Sequence, residues 1–138
     1  MFDEDDPSLA QIRSIALGLP EAFEKISHGR PTFCVPKMFA MYGGNSKLEH
    51  FPGRSAPARR PGGMVAYPRS VLVKIDESDR AALQQDKRFF YPMYLGPYGW
   101  LGLDLTAAKV DWAEVTELVD SSYRMVATKK LVSRLDQG

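Results

Sequence analysis

The stretch LPEAFEKISHGRPTFCVPKMFAMYGGN, residues 19–45, constrains the fold more than any other part of the chain. It reads as three short strands separated by tight turns, with a charged or polar residue at almost every turn. Ala22–Ser27 alternates weakly, Gly29-Arg30-Pro31 is the first turn, and Thr32–Val35 puts Phe33 and Val35 on one face. Pro36 interrupts the pattern, which places this region in a hairpin or at a sheet edge. Met38–Tyr42 is apolar throughout, the mark of burial on both faces or of a face packed under helices. Gly43-Gly44-Asn45 closes the stretch.

Helical signals flank the strands. Asp6 is the expected N-cap of a first helix with Pro7 at its first position, and Leu9, Ile12, Ile15, Ala16 and Leu19 form its apolar face. Gly18 and Pro20 stop it. Residues 46–69 carry four prolines and three glycines, so they read as a long loop inserted between strands. Val71–Ile75 alternates cleanly. Ser78 is the expected cap of a short helix over Asp79–Gln85, Gly96-Pro97-Tyr98-Gly99 is a turn, and Trp100–Leu105 is a further strand. Asp111 should cap a strong helix, with Glu114 as its capping-box partner, and residues 128–136 form a last short helix. One helix, then strands, then helices imply a single α+β domain of 138 residues, with a mainly antiparallel sheet and helices packed on one face.

Composition excludes several functions. No apolar run approaches the roughly 18 residues of a membrane span, so no membrane partner is expected. The acidic start, MFDEDDPSLA, lacks the pattern of a signal peptide, which makes the cytoplasm the default location. Cys34 is the only cysteine, and neither His28 nor His50 sits in a metal-binding pattern, so neither a metal nor another cofactor is expected. Cys34, between Phe33 and Val35, reads as a small buried apolar residue. No serine elbow, phosphate loop or dinucleotide fingerprint is present, and no catalytic residue is assigned.

Three functional hypotheses survive, with DNA binding in the lead. The net charge is only +1, yet Lys25 to Lys74 holds nine basic residues and one acid, a net +8. Such asymmetry suits a polyanion, although charges scattered over loops would look the same. Arg30, Lys37, Arg59, Arg60, Lys129 and Lys130 are the candidate phosphate contacts for sequence-nonspecific DNA binding. Lys129 and Lys130 equally suit a solvated helix end. The alternative is a small-ligand or effector site. Glu24 and His28 would share one face of a strand, with Tyr94 and Trp100 around the same cleft. An edge-strand surface accounts for Glu24 and His28 as well. A third possibility is a protein-interaction module using the 46–69 loop. The sequence sets no oligomeric state.

The segments LPEAFEKISHGRPTFCVPKMFAMYGG, DKRFFYPMYLGPYGWLGLDL and DWAEVTELVDSSYRMVATKKLVSRL resemble the MmcQ/YjbR-like family of small bacterial proteins. They cover roughly two thirds of the chain, and the shared marks include Lys37-x-Phe39-Ala40, Gly99-Trp100 and Asp120-Ser121-Ser122-Tyr123. The resemblance implies a CyaY-like fold, of the frataxin type, and a DNA-binding role through hairpins acting as a double wing. Two features depart from that pattern. Many relatives carry Asn-Lys-Lys-His before the tryptophan where this chain has Gly96-Pro97-Tyr98-Gly99, which removes two cations. The 46–69 loop has no clear counterpart. The fold does not carry iron binding with it, because no acidic ridge extends beyond Asp3–Asp6.

Overall fold

A computed structural model describes residues 3–47 and 64–137. Six antiparallel strands form one sheet: β1 (Phe23–Ser27), β2 (Arg30–Cys34), β3 (Met38–Lys47), β4 (Met64–Lys74), β5 (Phe89–Phe90) and β6 (Trp100–Asp104). Their order across the sheet is β1-β2-β3-β4-β6-β5. Helix α1 (Pro7–Leu17) precedes the sheet, α2 (Glu77–Gln84) lies between β4 and β5, and α3 (Trp112–Val126) and α4 (Lys129–Asp136) follow it. The expected α+β architecture is therefore present.

One face of the sheet carries the main core. Leu9, Ile12 and Ala16 of α1 and Val115, Val119 and Tyr123 of α3 pack onto Phe33, Ala40, Tyr42, Val71, Val73 and Leu101. Burial of this apolar surface is the main driving force for the layer. Polar groups then fix its register. The buried Ser122 hydroxyl donates to the Phe39 carbonyl (2.6 Å) and accepts from the Lys74 N–H (2.9 Å). The β3–β4 register ends at Ala40–Val73, so the hydroxyl bridges the next pair of residues. Tyr123 meets Phe39 edge to face and donates to the Pro20 carbonyl (2.7 Å). The Asp120-Ser121-Ser122-Tyr123 run thus ties α3 to the sheet. At the start of α1, buried Asp6 caps the helix through the Ser8 N–H and accepts from the Tyr42 hydroxyl.

The opposite face has a smaller cluster: Met41, Val65, Tyr67, Leu72, Phe90 and Trp100. Phe90 stacks on Tyr67 with ring centroids 3.9 Å apart. It lies against Gly102, where a Cβ would collide with the ring. This cluster is why Met38–Tyr42 is apolar at every position: Ala40 and Tyr42 serve the helix face, Met41 the other.

Several sequence expectations shift. The first turn is His28-Gly29, not Gly29-Arg30-Pro31: both residues have positive φ (53° and 75°), and Ser27 pairs with Arg30. That is the backbone of a two-residue hairpin whose twist matches its strands. Gly43-Gly44 does not end β3. Gly43 (φ 87°) sits at a bulge, and Gly44 pairs with Tyr67 beyond it. Pro68 falls opposite the bulge, where the ladder is already broken, so β4 tolerates it. Residues 46–47 and 64–69 consequently belong to strands, while 48–63 lie outside the described residues. Asp76, not Ser78, caps α2. Asp111 caps α3 as expected, but the Glu114 carboxylate turns to Arg88 (2.7 Å) instead of closing a capping box.

Candidate functional site

A cavity of about 570 Å³ opens on the sheet face away from α1 and α3. Its size lies within the range of about 300–1,000 Å³ usual for small-molecule sites. The β1–β2 hairpin supplies Ser27, His28 and Arg30. The floor comes from β3 and β4, with Met38, Met41 and Leu72 as apolar groups and Gly43 and Gly44 as bare backbone. The segment Met93–Leu95 completes the lining. It is held to β3 by the Met93 N–H, which donates to the Asn45 carbonyl (2.8 Å).

Arg30 is the chemically distinctive group. Its half-buried side chain crosses Gly43, and a Cβ added there would stand 3.1 Å from Nη1. The bulge glycine thus leaves room for the guanidinium beside the strand. With the Asn45 amide turned to satisfy both its ends, Oδ1 accepts from Arg30 Nη2 and Nδ2 donates to the Gly44 carbonyl, each at 3.1 Å. Burial pushes the Arg30 guanidinium below its ordinary value, because desolvation penalises the charged form. It remains a cation.

Most other arginines among the described residues have carboxylate partners. Arg13 holds Glu4 and Glu24, Arg88 holds Asp86 and Glu114, and Arg124 holds Asp120 and Asp136. Arg69 and Arg134 face Asp6 and Glu21. Arg80 donates to the Ile75 carbonyl. No described carboxylate pairs with Arg30. A partly desolvated cation with a neutral amide as neighbour is suited to receiving an external anion.

Tyr94 marks the rim. It is 81% exposed and has a left-handed backbone, φ 67°. Such a conformation in a tyrosine costs about 1–3 kcal/mol and persists only where its surroundings impose it.

The structure brings some of the sequence candidates together and separates others. His28 and Tyr94 line the cavity with Arg30. Glu24 does not join them: it faces α1 and takes a two-point contact from Arg13, Nε–Oε1 and Nη2–Oε2 both 2.9 Å. The strand alternation that put Glu24 beside His28 ends at Ser27, because His28 belongs to the turn. Trp100 is buried in the smaller cluster and does not line the cavity. Of the candidate phosphate contacts, Arg30 and Lys37 flank opposite ends of β2. Lys129 and Lys130 occupy the first turn of α4, on the helix side of the sheet. That is the positive end of the helix dipole, so they are not placed there to satisfy it. Arg59 and Arg60 lie outside the described residues. The described candidates therefore do not gather on one surface.

Asn45, Met41 and Leu72 were missed in the sequence. A weak signal existed for Met41 and Leu72, since both are apolar positions off the main-core alternation. Asn45 carries no such signal, because Gly43-Gly44 before it reads as a strand terminator.

Burial pushes the Cys34 thiol up, in keeping with an inert packing role. Among the described residues no three His, Cys, Asp or Glu side chains cluster as a metal site would need. None of the described helices is long and apolar enough to cross a membrane.

The model of the YjbR family matches residues 17–125, well over half of the chain, from the end of α1 almost to the end of α3. The chain belongs to the YjbR family. The fold of this YjbR protein is similar to the crystal structure of Deinococcus radiodurans protein DR2400, described as a DUF419 domain. The two share 17% sequence identity at a TM-score of 0.57, over 93% of this chain and 87% of that one. At that identity the likeness establishes the fold alone. No curated protein matches the chain.

Proposed function

We propose that this YjbR protein is a non-catalytic small-ligand-binding domain whose site is the cavity between the β1–β2 hairpin and Met93–Leu95. The observation that carries the reading is Arg30: a half-buried cation in a cavity of small-molecule size, with no carboxylate partner among the described residues. The apolar floor supplies contact area and the few polar groups supply orientation, which is the usual division of labour in such sites. Among the described residues the cavity lining holds one imidazole and neither a carboxylate nor a thiol, which favours binding over chemistry.

Sequence-nonspecific DNA binding is the competing reading. It needs cations that act together, and its support is the basic run between Lys25 and Lys74. Amide-resolved NMR separates the two. A small-fragment screen should shift the amides of Asn45, Met93, Tyr94 and the 27–30 hairpin at sub-millimolar to millimolar concentration, with little dependence on salt for uncharged fragments. If no fragment moves them, while duplex DNA at low salt produces shifts that vanish by 200 mM salt, the ligand reading is wrong and the DNA reading takes its place.

A further inference from the structure

We infer that the ligand of this cavity is a planar ring carrying an anionic oxygen group, a carboxylate or a phosphate monoester, with the anion at Arg30 and the ring held between the methionine-lined floor and Tyr94. The inference rests on the ligand-binding reading and narrows it.

Three observations converge on this class. The first is the Arg30 guanidinium itself. It lies along the Gly43–Asn45 backbone and contacts a neutral amide, so its charge is positioned but not neutralised by any described residue. Its planar donors match two oxygens of one carboxylate or phosphate. The second is the character of the floor. Met38, Met41 and Leu72 present apolar, polarisable side chains, and thioethers make favourable contacts with aromatic rings. The third is Tyr94, a large exposed aromatic at the rim held in a left-handed conformation. A ring seated on the floor would cover the partly exposed Met38 and Met93 and the small exposed parts of Met41 and Leu72, and would meet the tyrosine face at the mouth. Among the described residues no lining carboxylate opposes an anion in the site.

Matched pairs of probes test the class, with isothermal titration calorimetry and NMR as readouts on the purified full chain. Benzoate is compared with benzamide, and adenosine monophosphate with adenosine. Cyclohexanecarboxylate tests the requirement for a flat ring. The acids should bind at least about tenfold more tightly than their neutral counterparts, the difference expected of a charge-assisted contact. The benzoate and nucleotide arms distinguish a carboxylate from a phosphate ligand. Arg30→Gln should abolish the preference for the acid, and Arg30→Lys should retain only part of it. Tyr94→Ala should weaken the ring compounds several-fold and leave cyclohexanecarboxylate unchanged.

Equal binding of acids and neutral analogues at the cavity overturns the inference but leaves the ligand site standing. Binding of cyclohexanecarboxylate as tight as benzoate removes the ring requirement and also overturns it. If neither acids nor neutral probes shift the cavity amides, both the inference and the ligand reading fall. The wild-type comparison stands even if an Arg30 variant fails to fold.

Discussion

Replacing Ser122 with alanine isolates one contact that holds the helix layer to the sheet. The hydroxyl is fully buried and engages two backbone groups, the Phe39 carbonyl at 2.6 Å and the Lys74 N–H at 2.9 Å. Alanine is smaller by one oxygen, so the cavity left behind is slight. The cost comes instead from two buried backbone groups that lose a partner. Each net hydrogen bond contributes about 1 kcal/mol, and leaving a buried group unpaired costs about 1–3 kcal/mol. Two orphaned groups thus give about 2–6 kcal/mol. Part of this is recoverable only if β3 and β4 close together at Phe39–Lys74, one pair beyond their present register. Urea unfolding followed by circular dichroism measures the loss. With a slope of about 2 kcal/mol per molar urea, the midpoint should fall by about 1–3 M with the slope unchanged. A loss below about 0.5 kcal/mol would refute the bridging role and return Ser122 to the status of a small residue that merely fits.

Other changes probe different parts of the fold. Burial, with the Asp6 contact adding to it, raises the Tyr42 hydroxyl above its ordinary value, and burial raises Tyr123 too. Their contribution is complete below the unfolded tyrosine value of about 10 and is lost as pH rises through the higher folded values, so stability should decline above about pH 10. Tyr42→Phe should lessen that alkaline decline while costing about 1–2 kcal/mol at pH 7, read from urea unfolding at several pH values. Gly102→Ala should cost about 1–3 kcal/mol and disturb the stacked Phe90–Tyr67 pair, because a Cβ cannot share space with the Phe90 ring. Near-ultraviolet circular dichroism reports the aromatic change. His28→Asn should leave the melting temperature unchanged or higher, since asparagine favours the left-handed hairpin position that His28 occupies. A clear fall in that temperature would mean that the imidazole contributes a contact beyond the turn.

The parts of the fold legible in the sequence were those set by local chemistry. Asp6 with Pro7, and Asp111 before the Trp112 helix, announced their helices because a side-chain cap leaves a local mark. Alternation placed Val71 and Val73 in the core. The failures came where distant contacts override a local rule. Gly43-Gly44 looks like a terminator, but the bulge lets β3 run on to Lys47. Glu114 has the spacing of a capping box, but Arg88, 26 residues earlier, takes its carboxylate. The same limit applied to the site. His28 and Tyr94 line one cavity, and both stand out in the sequence, one at a turn and one in an aromatic run. Arg30 was singled out as a cation, but its setting beside Asn45 depends on the bulge and could not be read from spacing. Glu24 was misplaced because its partner, Arg13, lies on a different element.

The most direct test is a crystal structure of the protein grown or soaked with benzoate or adenosine monophosphate at millimolar concentration. Density for the ligand is expected in the cavity, with its anionic oxygens within hydrogen-bond reach of Arg30 and its ring over Met41 and Leu72. A cavity closed by the protein's own side chains, or ligand bound only at scattered surface lysines, would contradict it.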